Sequence, residues 1–159
     1  HSCPVHQGNT MKSICKLLAL SLLLSAASAW AQLKPYTDYE PSQEVTHITT
    51  IQVHANMIDD YLEGIRETWV ASSKAAKELG HIKDYGVYVS ELPNSGGFNV
   101  VLMQVFAKGE DMQPSKERYD AFMKAWGAAN EAKSRSISKD YPSMRDITGE
   151  YVMRRITFK

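Results

Sequence analysis

The chain has 159 residues with 18 basic and 18 acidic side chains, so its formal net charge is zero. That length sets one domain as the default count. With no basic surplus, composition gives no ground for a nucleic-acid partner or an anionic membrane surface.

The first readable segment is an address. Met11 is followed by Lys12 and Lys16, then by the apolar run Leu17–Leu24, then by small residues ending in Ala29-Trp30-Ala31. Charge, apolar run and an A-x-A site in that order predict a secretory signal peptide over 11–31, with Gln32 as the first mature residue. The run is too short to span a bilayer, which needs about 20 residues. No membrane contact is therefore expected after cleavage, and periplasmic or secreted localisation follows. Residues His1–Thr10 read as an upstream extension. Both cysteines, Cys3 and Cys15, precede the cut. The 128 residues that remain have no thiol for a disulfide, a nucleophile or a metal. Two lysines and no acids are lost with the leader, which leaves a formal charge of about −2.

Gln32–Glu44, with Pro35 and Pro41, reads as a linker ahead of a domain at 45–159. Val45–Ala55 is β-branched and predicts a strand. Asn56 is placed to cap a helix that runs to about Leu79 along the stripe Ile58, Leu62, Ile65, Trp69, Ala76, Leu79, with Gly80 ending it. Ile82–Leu92 and Phe98–Lys108 predict two further strands, joined as a hairpin through Pro93–Gly97. A second helix starts near Pro114 or Ser115, with Tyr119, Phe122, Met123, Trp126, Ala129 and Ile137 as its apolar stripe. Ser143–Thr148 suggests one more turn, and Gly149–Lys159 a final strand. The order β-α-β-β-α-β predicts an α+β, ferredoxin-like domain: a four-stranded antiparallel sheet with two helices on one face.

Period-two alternation sorts the strand residues into faces. Ile51, Val53, Val87, Val89, Val101, Met103, Val105, Val152 and Ile156 are expected beneath the helices. Thr50, Gln52, His54, Tyr88, Ser90, Leu102, Gln104, Phe106, Tyr151, Met153 and Arg155 are expected on the other face. That mixture suits a homodimer interface enclosing a partly polar cavity for a small molecule. Within it His54 is the candidate general base, and Arg155 and Gln104 the groups for an anionic oxygen. Gln52, Tyr88, Tyr151 and Phe106 are the candidate ligand contacts. His47 and His81 are expected at the surface, and Trp69 and Trp126 in the core. No metal-ligand spacing and no phosphate-binding loop occurs, so neither metal nor cofactor is expected.

The stretch Thr49-Thr50-Ile51-Gln52-Val53-His54-Ala55-Asn56, leading into a helix with Tyr61, Leu62 and Trp69, resembles the dimeric α+β barrel superfamily. That group includes NIPSNAP-like, EthD-like, stress-responsive and antibiotic-biosynthesis-monooxygenase-like proteins. The resemblance covers about Val45–Lys159 and implies two sheets packed face to face in a homodimer. Its haem-degrading branch uses an Asn–Trp–His set. Asn56, Trp126 and His54 supply the residue types but not the placement. The group spans oxygenases, isomerases and proteins without known activity, so fold does not select function. Three readings stand: a small-molecule-binding protein of the cell envelope, a cofactor-free oxygenase or isomerase, and a structural dimer without ligand.

Overall fold

The computed structural model describes residues 32–92 and 96–159, and the compact unit Pro35–Lys159 carries every element below. The expected leader, its cleavage site, the extension His1–Thr10 and residues 93–95 of the hairpin turn lie outside the described residues.

The strands are β1 (Tyr39–Pro41), β2 (Val45–Val53), β3 (Asp84–Val89), β4 (Val100–Phe106), β5 (Arg145–Met153) and β6 (Ile156–Phe158). Four of them form an antiparallel sheet in the order β3-β4-β2-β5. The first long helix comprises α1 (Ile58–Ile65), a π-helical turn (Arg66–Val70) and α2 (Ala71–Glu78). The second is α3 (Lys116–Ser138), followed by the short α4 (Tyr141–Met144). This is the α+β, ferredoxin-like architecture expected from the order of elements. Its core joins Ile51, Val53, Val100 and Leu102 of the sheet to Tyr61, Ile65 and Tyr141 of the helical layer.

Local chemistry explains the element ends. Gly80, at φ 72°, terminates the first helix as expected, and the following His81 N–H reaches back to Ala76 O at 2.9 Å. Ser115 caps α3 by accepting the Arg118 N–H. Asn56 is not a cap. It sits at φ 63° in the turn after β2, and Met57 occupies the cap position without a side-chain bond. The carboxamide of Asn99 acts as an extra rung of the ladder, accepting from Val53 N at 2.8 Å and donating to Val53 O at 2.9 Å.

Four expectations are corrected. First, the linker is not featureless: β1 lies within it and pairs with β6, and Tyr39 meets Phe158 edge to face. Second, the last strand is two strands. β5 begins at Arg145, four residues earlier than expected, and the chain breaks at Arg154-Arg155 before β6. Ile156 is therefore outside the main sheet. Third, α3 is interrupted at Gly127, whose φ of 79° and ψ of 155° only glycine adopts readily. Trp126, just before the break, is buried, while Ala129, just after it, is exposed, and Tyr119 near the helix start is exposed as well.

Fourth, β4 faces the opposite way. Register pairs Val45 with Phe106, His47 with Gln104, Thr49 with Leu102 and Ile51 with Val100. Directly paired residues share a face. Leu102, Gln104 and Phe106 therefore lie beneath the helices with Ile51 and Val53, and Val101, Met103 and Val105 lie on the open face. The run VVLMQVF is apolar on both sides, so alternation alone carried no phase.

Candidate functional site

A cavity of about 280 Å³ lies between the sheet and the helices. Its floor is made by β2 (His47, Thr49, Ile51), β4 (Leu102, Gln104) and β5 (Arg145, Ile147, Glu150). Its roof is Tyr61, Ile65 and Trp69 from the first helix and Tyr141 from α4.

A bulge in β5 brings its three residues together. Thr50 pairs with Gly149 but Ile51 pairs with Ile147, which leaves Thr148 as an extra residue. The bulge is stitched by Thr148 Oγ1 to Thr50 Oγ1 at 3.0 Å and by Thr50 Oγ1 to Gly149 O at 3.3 Å. It inverts the alternation, so Arg145 and Ile147 before it and Glu150 after it all face the helices.

The roof is fixed by the π-helical turn, a widened turn of the kind often found at sites. It turns Thr68 inward, where its hydroxyl donates to Gly64 O at 3.0 Å. That leaves Thr68 Oγ1 to accept from the Tyr141 hydroxyl at 2.5 Å. Gly64 admits the ring: a Cβ there would stand 2.9 Å from Tyr141 Cε1. Tyr141 packs edge-on against the buried Tyr61, centroids 5.5 Å apart. Trp69 is half-buried rather than enclosed, and meets Tyr85 edge to face at 6.0 Å.

The guanidinium of Arg145 lies over the Tyr141 ring, 5.6 Å from its centroid. Its Nε is buried and has no hydrogen-bond partner. Burial is the main cause that pushes both phenols above their usual 10. The Arg145 charge and then a hydrogen bond from Arg145 oppose it at Tyr61, and at Tyr141 the bond to Thr68 and then Arg145 do so. Both therefore stand as neutral donors at neutral pH. Gln104 is oriented by donating to the buried Ser73 hydroxyl at 3.0 Å.

Of the seven side chains expected to form a site, only Gln104 reaches this cavity. Phe106 shares its face but lies further along β4, beside His81 and Phe122. Gln52, Tyr88 and Tyr151 remain on the open face. Gln52 bonds to Val53 O through Nε2 and leaves its Oε1 buried without a partner, and Tyr88 turns its hydroxyl towards Met103 Sδ. Arg155 is exposed in the break after β5. His54, with 43% of its side chain exposed, stands past the end of β2. Its Nδ1 meets Ser143 O at 3.1 Å and its Nε2 meets Asp146 Oδ2 at 2.9 Å. The Asp146 bond first, then the Ser143 carbonyl, raises its pKa above the usual 6.5. His47, expected at the surface, is half-buried and lines the cavity. Among the described residues no His, Cys, Asp and Glu cluster suited to a metal occurs.

No protein family and no curated protein matches the chain in sequence. Solved structures do match in fold. A NIPSNAP family protein of unknown function from Agrobacterium tumefaciens aligns at 17% identity and a TM-score of 0.51, over 77% of this chain and 96% of that one. HapK from Hahella chejuensis aligns at 12% identity and a TM-score of 0.42, over 70% and 91%. SnoaB, a cofactor-independent oxygenase from Streptomyces nogalater, aligns at 9% identity and a TM-score of 0.35, over 74% and 94%. The sheet order and the first of these likenesses define the class: an α+β protein of the ferredoxin-like fold.

Proposed function

We propose that this chain binds a small, partly apolar molecule between its sheet and its helices. The observation that carries this reading is the composition of the cavity wall. Ile51, Ile65, Leu102 and Trp69 give it apolar walls, and Gln104, His47 and two phenols bring polar groups to it. Ligand sites combine such walls with a few placed polar groups, and this one lies just below their usual range of roughly 300–1,000 Å³. The test uses neutral aromatic probes such as indole and 2-naphthamide, followed by protein NMR. Shifts confined to residues around Tyr61, Leu102 and Gln104 support the reading. Saturating probe without any shift there sinks it.

The second reading is a cofactor-free oxygenase or isomerase, favoured by the position of His47. Its imidazole, not that of His54, stands in the cavity floor beside Gln104, where a general base could meet a bound molecule. A His47→Gln chain that binds a substrate as before but no longer converts it supports this reading.

Two further proposals concern setting. The open sheet face suits a second copy of the chain, because Ile48, Val101 and Met103 lie across its centre. The pattern at Met11–Ala31 supports export, with the mature chain working in the periplasm or outside the cell.

A further inference from the structure

We propose that the molecule held in this cavity carries a carboxylate and that Arg145 is its counterion. This rests on the reading of the cavity as a binding site and adds the charge of its occupant.

The arginines of the chain differ in what surrounds them. Arg66, Arg118 and Arg135 have carboxylates within ion-pair distance, and Arg154 donates to the carbonyls of Ser42 and Gln43. Arg155 is exposed to water. Arg145 is different: half-buried, in the cavity wall, and without an ion pair among the described residues. A guanidinium stays charged at every accessible pH. Withdrawing it from water costs free energy that only opposite charge and hydrogen bonds offset. The ring of Tyr141 and a hydrogen bond to the Tyr61 hydroxyl offset a part, but neither carries negative charge. The remaining requirement is an acceptor with negative charge, on the cavity side.

The shape of the site narrows the anion. Arginine presents a flat fork that matches the two oxygens of a carboxylate. The neutral phenol of Tyr61 beside it adds a donor. A phosphate dianion would call for several cations or a nest of backbone N–H groups. Among the described residues Arg145 is the one Lys or Arg lining this cavity, and most of its other walls are aromatic and aliphatic. The fitting ligand is a small organic monoacid with an apolar or aromatic body. Glu150, an exposed acid among the lining residues, makes no ion pair with Arg145.

The experiment compares 2-naphthoate with 2-naphthamide, which have the same shape and differ in charge, by calorimetry and protein NMR. The wild-type chain is expected to bind the acid at least about tenfold more tightly than the amide. Arg145→Met should abolish that preference and leave amide binding in place, and Arg145→Lys should keep part of it. Equal binding of both probes in the cavity overturns the carboxylate proposal while the binding reading stands. So does an acid preference that survives intact in folded Arg145→Met. Failure of both probes to perturb the cavity sinks the binding reading itself, and the carboxylate with it. The wild-type ratio decides alone if Arg145→Met does not fold.

Discussion

The imidazole of His54 sits between a carboxylate and a carbonyl, and both contacts favour the ring with two N–H groups. Its pKa in the folded chain is therefore above 6.5. Stabilisation from this contact is complete below the unfolded value and is lost as the pH rises through the raised one. A proton NMR titration should show His54 titrating above 6.5 in the wild type, and closer to that value in Asp146→Asn. At Tyr141 the balance is different. Tyr141→Phe removes one hydrogen bond and leaves Thr68 still donating to Gly64, so urea unfolding should register a loss of about 1 kcal/mol. The buried phenols of Tyr61 and Tyr141 also predict a limb at high pH. An unfolded chain releases those protons near pH 10 and the folded chain holds them, so stability should fall as the pH climbs past 10. An absorbance titration of phenolate that shows all tyrosines ionising together would contradict this.

At the scale of elements, irregularities build the site. The π-helical turn aims Thr68, the glycine one turn earlier admits Tyr141, and the Thr148 bulge gathers Arg145, Ile147 and Glu150 on one side of β5. Gly64→Ala should cost about 1–3 kcal/mol, because its Cβ enters the Tyr141 ring and displaces it. Thermal unfolding and the near-ultraviolet signal of the tyrosines would register it, and an unchanged melting point would refute this account of the packing. Neither irregularity was legible beforehand. The stripe Ile58, Leu62, Ile65, Trp69 predicts a regular helix, and nothing in RETWV signals a wider turn. A bulge is likewise invisible in RDITGEYVM until the partner strand shows which residue has no opposite number.

At the scale of the whole molecule, the sheet has one covered face and one open face. On the open face each edge strand carries a glycine followed two residues later by a tyrosine: Gly86 and Tyr88 on β3, Gly149 and Tyr151 on β5. The tyrosine rings lie over those glycines, close enough that a Cβ would stand 3.1 Å from Tyr88 and 2.7 Å from Tyr151. The two aromatic edges flank a central row in which Met103 pairs with Ile48, and Ile48 with Tyr151. A second copy seated here would exclude water from that row. Met103→Lys places a charge at its middle and should weaken a dimer by at least about tenfold, measured as a shift towards monomer in light scattering. A wild-type chain that is monomeric at all concentrations would remove the dimer proposal. Export is checked separately. Terminal sequencing of the chain recovered from outside the cytoplasm should begin at Gln32.

The ferredoxin-like topology was readable from the sequence alone, because it depends on the order and type of elements. Those are written locally, in the β-branched run Val45–Val53, in the capping Ser115 and in the helix-ending Gly80. The location of the site was not. It depends on the phase of each strand, and a strand such as VVLMQVF, apolar on both sides, acquires its phase only by pairing with a neighbour. One step of register carried Gln104 from the open face to the covered one. One bulge put Arg145, which no local pattern marks, against two buried tyrosines. Local chemistry determined the elements, and tertiary pairing decided which of their side chains share a cavity.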